Sequence, residues 1–134
     1  MGYRSDLRVI TTKEGLRQIK DFLNNKIEEI GFNLMDYLVV DKEVKDIAYI
    51  GWKRLNVKET DTIELALYEL EEKDISYGYC CIGESLEDIT EMNYISDNKK
   101  DDLPNISYIR DFDENDMEQQ LNKYVNSTKE TIEF

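Results

Sequence analysis

Residues 37–52 read Tyr37-Leu38-Val39-Val40-Asp41-Lys42-Glu43-Val44-Lys45-Asp46-Ile47-Ala48-Tyr49-Ile50-Gly51-Trp52. Tyr37 to Val40 is a compact apolar run with strand character, Asp41 to Lys45 is polar, and Asp46 to Trp52 returns to apolar and aromatic residues. Two strand-like runs joined by a short polar connection predict an antiparallel hairpin.

Helical patterns flank this hairpin on both sides. Upstream, Thr11-Thr12-Lys13-Glu14 has capping-box spacing, a hydroxyl at the cap and a carboxylate three residues on. Leu16, Ile19, Leu23, Ile27 and Ile30 follow at helical intervals beside Phe22, and Gly31 stands where a helix ends in a left-handed residue. Downstream, Asp61 and Glu64 repeat the cap spacing before Ile63, Ala66, Leu67 and Leu70 at i, i+3, i+4 and i+7. Outside the helices lie two further strands, one at Leu7 to Thr11 and an aromatic one at Ser76 to Ile82. Gly83-Glu84-Ser85 breaks the second, and Ile89 to Ile95 returns as an added strand. Strand, helix, strand, strand, helix, strand is the order of a ferredoxin-like α+β fold, an antiparallel sheet with two helices on one face. Another α+β sandwich of the same elements is the alternative. Ser96 to Asn105, with the single proline, reads as a polar loop, and Ile106 to Phe112 as a short edge strand. Asp113 to Val125 reads as a C-terminal helix with Met117, Leu121, Tyr124 and Val125 on its apolar stripe. One α+β domain over residues 1–125 with a loose tail at 126–134 is therefore expected. A chain of 134 residues buries roughly two thirds of its unfolded surface, so it needs no metal or disulfide to fold.

Thirty acids against seventeen bases give a formal net charge of −13, and there is no histidine. The balance argues against direct contact with nucleic acid or an anionic membrane. The missing histidine removes His-based triads, His-ligated metals and imidazole acid–base chemistry. The acidity is uneven: residues 1–58 hold eleven bases and nine acids, residues 59–134 six bases and twenty-one acids. Two groups stand out, Glu84, Glu87, Asp88 and Glu91, and Asp111, Asp113, Glu114, Asp116 and Glu118. One reading is a solvated, solubilising surface. The other is a negative surface that docks on the basic, nucleic-acid-binding groove of another protein, because Coulomb steering follows charge spacing more than chemistry.

Catalytic and metal patterns are weak. Asp111-Phe112-Asp113-Glu114-Asn115 opens like a calcium loop, but Asp116 stands where the sharp turn needs glycine and Asn122 where a bidentate glutamate belongs. No Gly-rich phosphate loop and no nucleophile elbow is present, and no base stands beside Cys80 or Cys81. In a strand those neighbouring cysteines point to opposite faces, so they are expected as two buried free thiols of a reducing cytosol rather than a bridge or a zinc pair. Ser85 reads as a turn cap. Trp52, Tyr77 and Tyr79 read as core, or as an interface hot spot if one sheet face lies uncovered. No run approaches the ~20 apolar residues of a membrane span, and the N-terminus lacks a signal-peptide pattern. A cytoplasmic protein without cofactor or catalysis is expected.

Gly2-Tyr3-Arg4-Ser5-Asp6-Leu7, Ile50-Gly51-Trp52 and Ile82-Gly83-Glu84 with Asp88-Ile89 resemble a group of small acidic proteins of phages, prophages and bacterial mobile elements. Members often open Gly-Tyr-Arg-Ser-Asp-Val and later carry an Ile-Gly-Glu turn before an acidic hairpin. The likeness spans about residues 2–95. Cys81 stands before Ile82 where the pattern has arginine, so no role of that arginine transfers. The resemblance implies context: such proteins often inhibit host defence systems or nucleic-acid enzymes by filling a basic site. With the charge asymmetry it implies an anti-CRISPR-like inhibitor whose partner is a host protein with a basic nucleic-acid-binding surface. The two acidic groups would supply the contact. The rivals are a structural protein that self-associates through a sheet face or strand edge, and a small metal-assisted enzyme with converging carboxylates.

Overall fold

In the computed structural model residues 3–85, 88–97, 103–106 and 112–132 are described, with side chains of the last helix as far as Lys123. The first strand, β1 (Ser5–Thr12), is apolar on both faces: Leu7, Val9 and Ile10 are fully buried. A strand covered on both sides belongs at the centre of a sheet, and β1 lies between β3 (Ile47–Leu55) and β4 (Tyr77–Gly83), antiparallel to each. β2 (Val40–Val44) and β5 (Ile89–Tyr94) complete a five-stranded antiparallel sheet in the order β2-β3-β1-β4-β5. The protein is thus an α+β fold.

Period-two alternation sorts the side chains. Leu7 and Val9 of β1, Ala48, Ile50 and Trp52 of β3, and Tyr77, Tyr79 and Cys81 of β4 build the main core. Against them pack Leu16, Ile19 and Leu23 of α1 (Lys13–Asn24) and Ile63, Ala66, Leu67 and Leu70 of α3 (Val57–Glu72). The opposite face carries Ile10, Ile47 and Tyr49, covered by Met117 and Leu121 of α4 (Glu114–Ile132), with Leu103 and Ile106 beside them. Trp52 is fully buried and donates its indole N–H to Leu34 O at 2.8 Å. With both faces covered, Trp52, Tyr77 and Tyr79 are core residues rather than an interface.

Several boundaries differ from the sequence reading. The N-cap of α1 is Thr12, which accepts from Gly15 N–H, because Thr11 is turned inward and donates its hydroxyl to Ser76 O. The predicted long helix divides: α1 stops at Asn24, and a single turn, α2 (Ile27–Ile30), ends at left-handed Gly31. The apolar run at 37–40 is not the strand. Leu34 to Tyr37 forms a 3₁₀ turn, and β2 occupies the segment read as the polar turn. An edge strand needs only half its surface buried, so Asp41 and Glu43 lie exposed in it between half-buried Val40, Lys42 and Val44. α3 starts earlier than expected, at an Asn56–Glu59 capping box. α4 begins near the expected residue and continues to Ile132. The expected edge strand at 106–112 falls largely outside the described residues.

Candidate functional site

The acidity concentrates where α3, β4 and β5 lie. From Glu59 to Asn98 the chain carries twelve acids and one base, Lys73. The first part of the chain supplies β2, β3 and β1, and the acidic part adds β4 and β5 on the other side. Over residues 59–98 the acidity therefore falls on one side of the sheet, while acids of α4 lie against Arg8 of β1 and Lys42 of β2.

Tyrosines hold four of these carboxylates. Tyr79 Oη donates to Glu64 Oε2 at 2.8 Å and Tyr77 Oη to Glu71 Oε2 at 2.7 Å, tying two turns of α3 to adjacent same-face positions of β4. Tyr94 Oη donates to Asp74 Oδ1 at 2.6 Å, and Asp74 also accepts from Ser96 Oγ and Asp97 N. Tyr3 donates to Asp88. Burial, reinforced by these acids, raises the pKa of Tyr79 and Tyr77 well above that of a free phenol. The bond to Asp74 pushes Tyr94 up to about 12, and the bond to Asp88 raises Tyr3. Each hydroxyl stays protonated and orients its carboxylate.

At one end of this flank residues 3–6 meet the β4–β5 turn and Arg54 of β3. Tyr3 lies over the β4–β5 turn, where it also accepts from Ser85 N, and Arg4 N donates to Glu84 Oε1 at 2.9 Å. Ser5 pairs with Gly83, and Asp6 Oδ1 accepts from Arg54 N at 2.9 Å, beside a register shift in β1. A Cβ at Gly83 would collide with Tyr3 Oη and Asp88, so the glycine makes room for the clasp.

Of the first predicted acidic group, Glu84 and Asp88 are exposed at this turn, and Glu91 is exposed farther along β5, opposite Cys80. Glu87 and Asp111 lie outside the described residues. The remainder sit on α4 and just before it, with structural duties. Asp113 Oδ1 accepts from Asp116 N at the helix start, and Asp116 Oδ2 accepts from Gln120 Nε2. Glu114 turns inward to Arg8 at 2.8 Å, and exposed Glu118 is 3.9 Å from Lys42. Arg8 is buried, donates also to Leu7 O and Trp52 O, and lies 4.4 Å from the centre of the Phe112 ring. Tyr49 Oη and Glu114 Oε2 are buried beside it without a hydrogen-bond partner among the described residues.

Glu64, Glu71 and Asp74 were missed by the sequence reading. Their signal was present, as acids seven apart on one helix followed by tyrosines two apart on the next strand. Cys80 and Cys81 are buried free thiols on opposite faces, and burial next to Glu91 pushes Cys80 up to about 12, the thiol range in which nucleophilic chemistry is suppressed. Among the described residues no group of three or more His, Cys, Asp or Glu could hold a metal ion, and no helix is long and apolar enough to cross a membrane. No family model, curated protein or solved structure matches the chain.

Proposed function

We propose that this is an acidic binding protein of the phage or mobile-element type, which inhibits a host nucleic-acid-handling or defence protein by occupying its basic site. The observation that carries the reading is the almost base-free flank of α3, β4 and β5, with several carboxylates fixed by tyrosine hydroxyls. Fixed, like-signed charges raise association rates with a basic groove and lose little side-chain freedom on docking. On this reading the protein works in the host cytoplasm without catalysis or cofactor. Glu84, Asp88 and Glu91 lead the contact, and Glu114 serves the fold. The strand order and the two helices on one face support a ferredoxin-like ancestry with β5 added at the edge.

The test is capture from host lysate at low and high salt, followed by competition with the purified captured protein. A nucleic-acid-binding protein retained only at low salt should release its nucleic acid when this protein is added. A Glu84→Lys/Glu91→Lys variant should fold normally and fail to compete. Competition by the variant equal to the parent's overturns the reading. A higher-order mass insensitive to salt, with nothing captured, points to self-association instead.

A further inference from the structure

β5 is the last strand of the sheet, and among the described residues no strand lies beyond it. Its hydrogen-bond phase is set by the hairpin closure, Gly83 N to Asp88 O at 2.8 Å. Counting along the register, Thr90, Met92 and Tyr94 exchange bonds with Cys81, Tyr79 and Tyr77. The alternate residues, Ile89 and Asn93 among them, aim backbone N–H and C=O groups away from β4.

Natural sheet edges are commonly blunted by lysine, proline or a bulge. β5 has none of these: no base occurs from Asp74 to Asn98, no proline interrupts the strand, and its register with β4 is regular. Its charges are Glu91 along the strand, Glu84 and Asp88 at one end, and Asp97 at the other. Ile95, just past the strand, is 66% exposed. Beside it a groove of about 250 Å³ is lined by Asn93, Tyr94, Ile95, Leu103 and Pro104. Two copies paired through this edge would set carboxylate against carboxylate, so the complement is a segment of opposite charge.

We propose that β5 accepts an extended, basic segment of the partner as a sixth strand. This rests on the binding-protein reading and specifies how the partner is held. Main-chain bonds to the outward groups of β5 supply affinity. A lysine or arginine beside Asp88, at the start of β5, fixes register, and an apolar side chain enters the groove beside Ile95.

The probe is a peptide of about ten residues alternating lysine and valine, with its glutamate–valine counterpart as control. The expected result is salt-sensitive binding of the basic peptide alone, with amide exchange at Ile89 and Asn93 slowed by about tenfold or more. Asn93→Pro removes one outward N–H that makes no ladder bond, so the sheet should survive while peptide binding falls by about tenfold or more. Unchanged exchange at those two amides, or equal binding by a folded Asn93→Pro variant, overturns the proposal. A captured host protein that is lost with Glu84→Lys/Glu91→Lys but kept by Asn93→Pro overturns the added strand and leaves the acidic binder standing. Insensitivity to both overturns both.

Discussion

Arg8 shows how one residue can be fixed by chemistry that its neighbours supply. It is a cation in the central strand, only 7% exposed, and its burial is tolerated because its hydrogen bonds are satisfied by Glu114 and two backbone carbonyls. Gly51 stands opposite it in the register, and a Cβ there would run into the Arg8 side chain. Gly51→Ala should therefore destabilise the protein by about 1–3 kcal/mol through overpacking, read as a lower urea midpoint with an unchanged slope. Tyr79→Phe tests a different residue-scale device. It deletes the 2.8 Å bond to half-buried Glu64 and leaves the ring in place, and should cost about 0.5–1.5 kcal/mol. A change near zero would mean that water replaces the phenol and that the carboxylate is not held.

At the scale of elements, local signals decide existence while tertiary contacts decide boundaries. The capping box of α3 has Asn56 Oδ1 accepting from Glu59 N at 2.8 Å and Glu59 Oε1 accepting from Asn56 N at 2.9 Å. Asn56→Ala should cost about 1 kcal/mol and fray the first turn, seen as faster amide exchange at Lys58 and Glu59 alone. The same spacing at Asp61–Glu64 misled the sequence reading, because two acid-containing frames fit the pattern and only burial of Thr60 and Thr62 inside the helix separates them. β1, β4 and β5 were legible because their alternation and their glycine turn agree. β2 was not, since an edge strand of Asp41, Lys42 and Glu43 looks like a turn until Val40 and Val44 are seen packing beside the second core. Of the candidate site, the hairpin acids were legible from charge counts. The inward turn of Glu114 was not, because its cause, Arg8, lies 106 residues away along the chain.

The whole molecule carries a charge of −13, and its pH response separates that repulsion from the tyrosine bonds. Burial raises the pKa of Tyr49, Tyr77 and Tyr79 in the folded state, and carboxylate bonds raise Tyr94 and Tyr3. In the unfolded chain all five titrate near ~10. Folded pKa values above unfolded ones mean that, above that pH, the unfolded state has released protons which the native state retains. The stability they contribute is therefore complete below about pH 10 and is lost as pH rises toward the folded values, at about 1.4 kcal/mol per pH unit for each buried tyrosine. Urea midpoints should begin to fall above about pH 9, where the thiols of Cys80 and Cys81 ionise in the unfolded chain while burial keeps the folded ones protonated, and should fall more steeply above about 10, with tyrosinate absorbance of the buried set appearing in step with unfolding. Added salt should raise the neutral-pH midpoint by screening carboxylate repulsion. It should leave the alkaline fall in place, because that fall comes from protons withheld by burial rather than from surface charge. Tyrosinate appearing at ordinary pH in a molecule that stays folded would show that the phenols are wet, and would remove the anchors from the acidic flank.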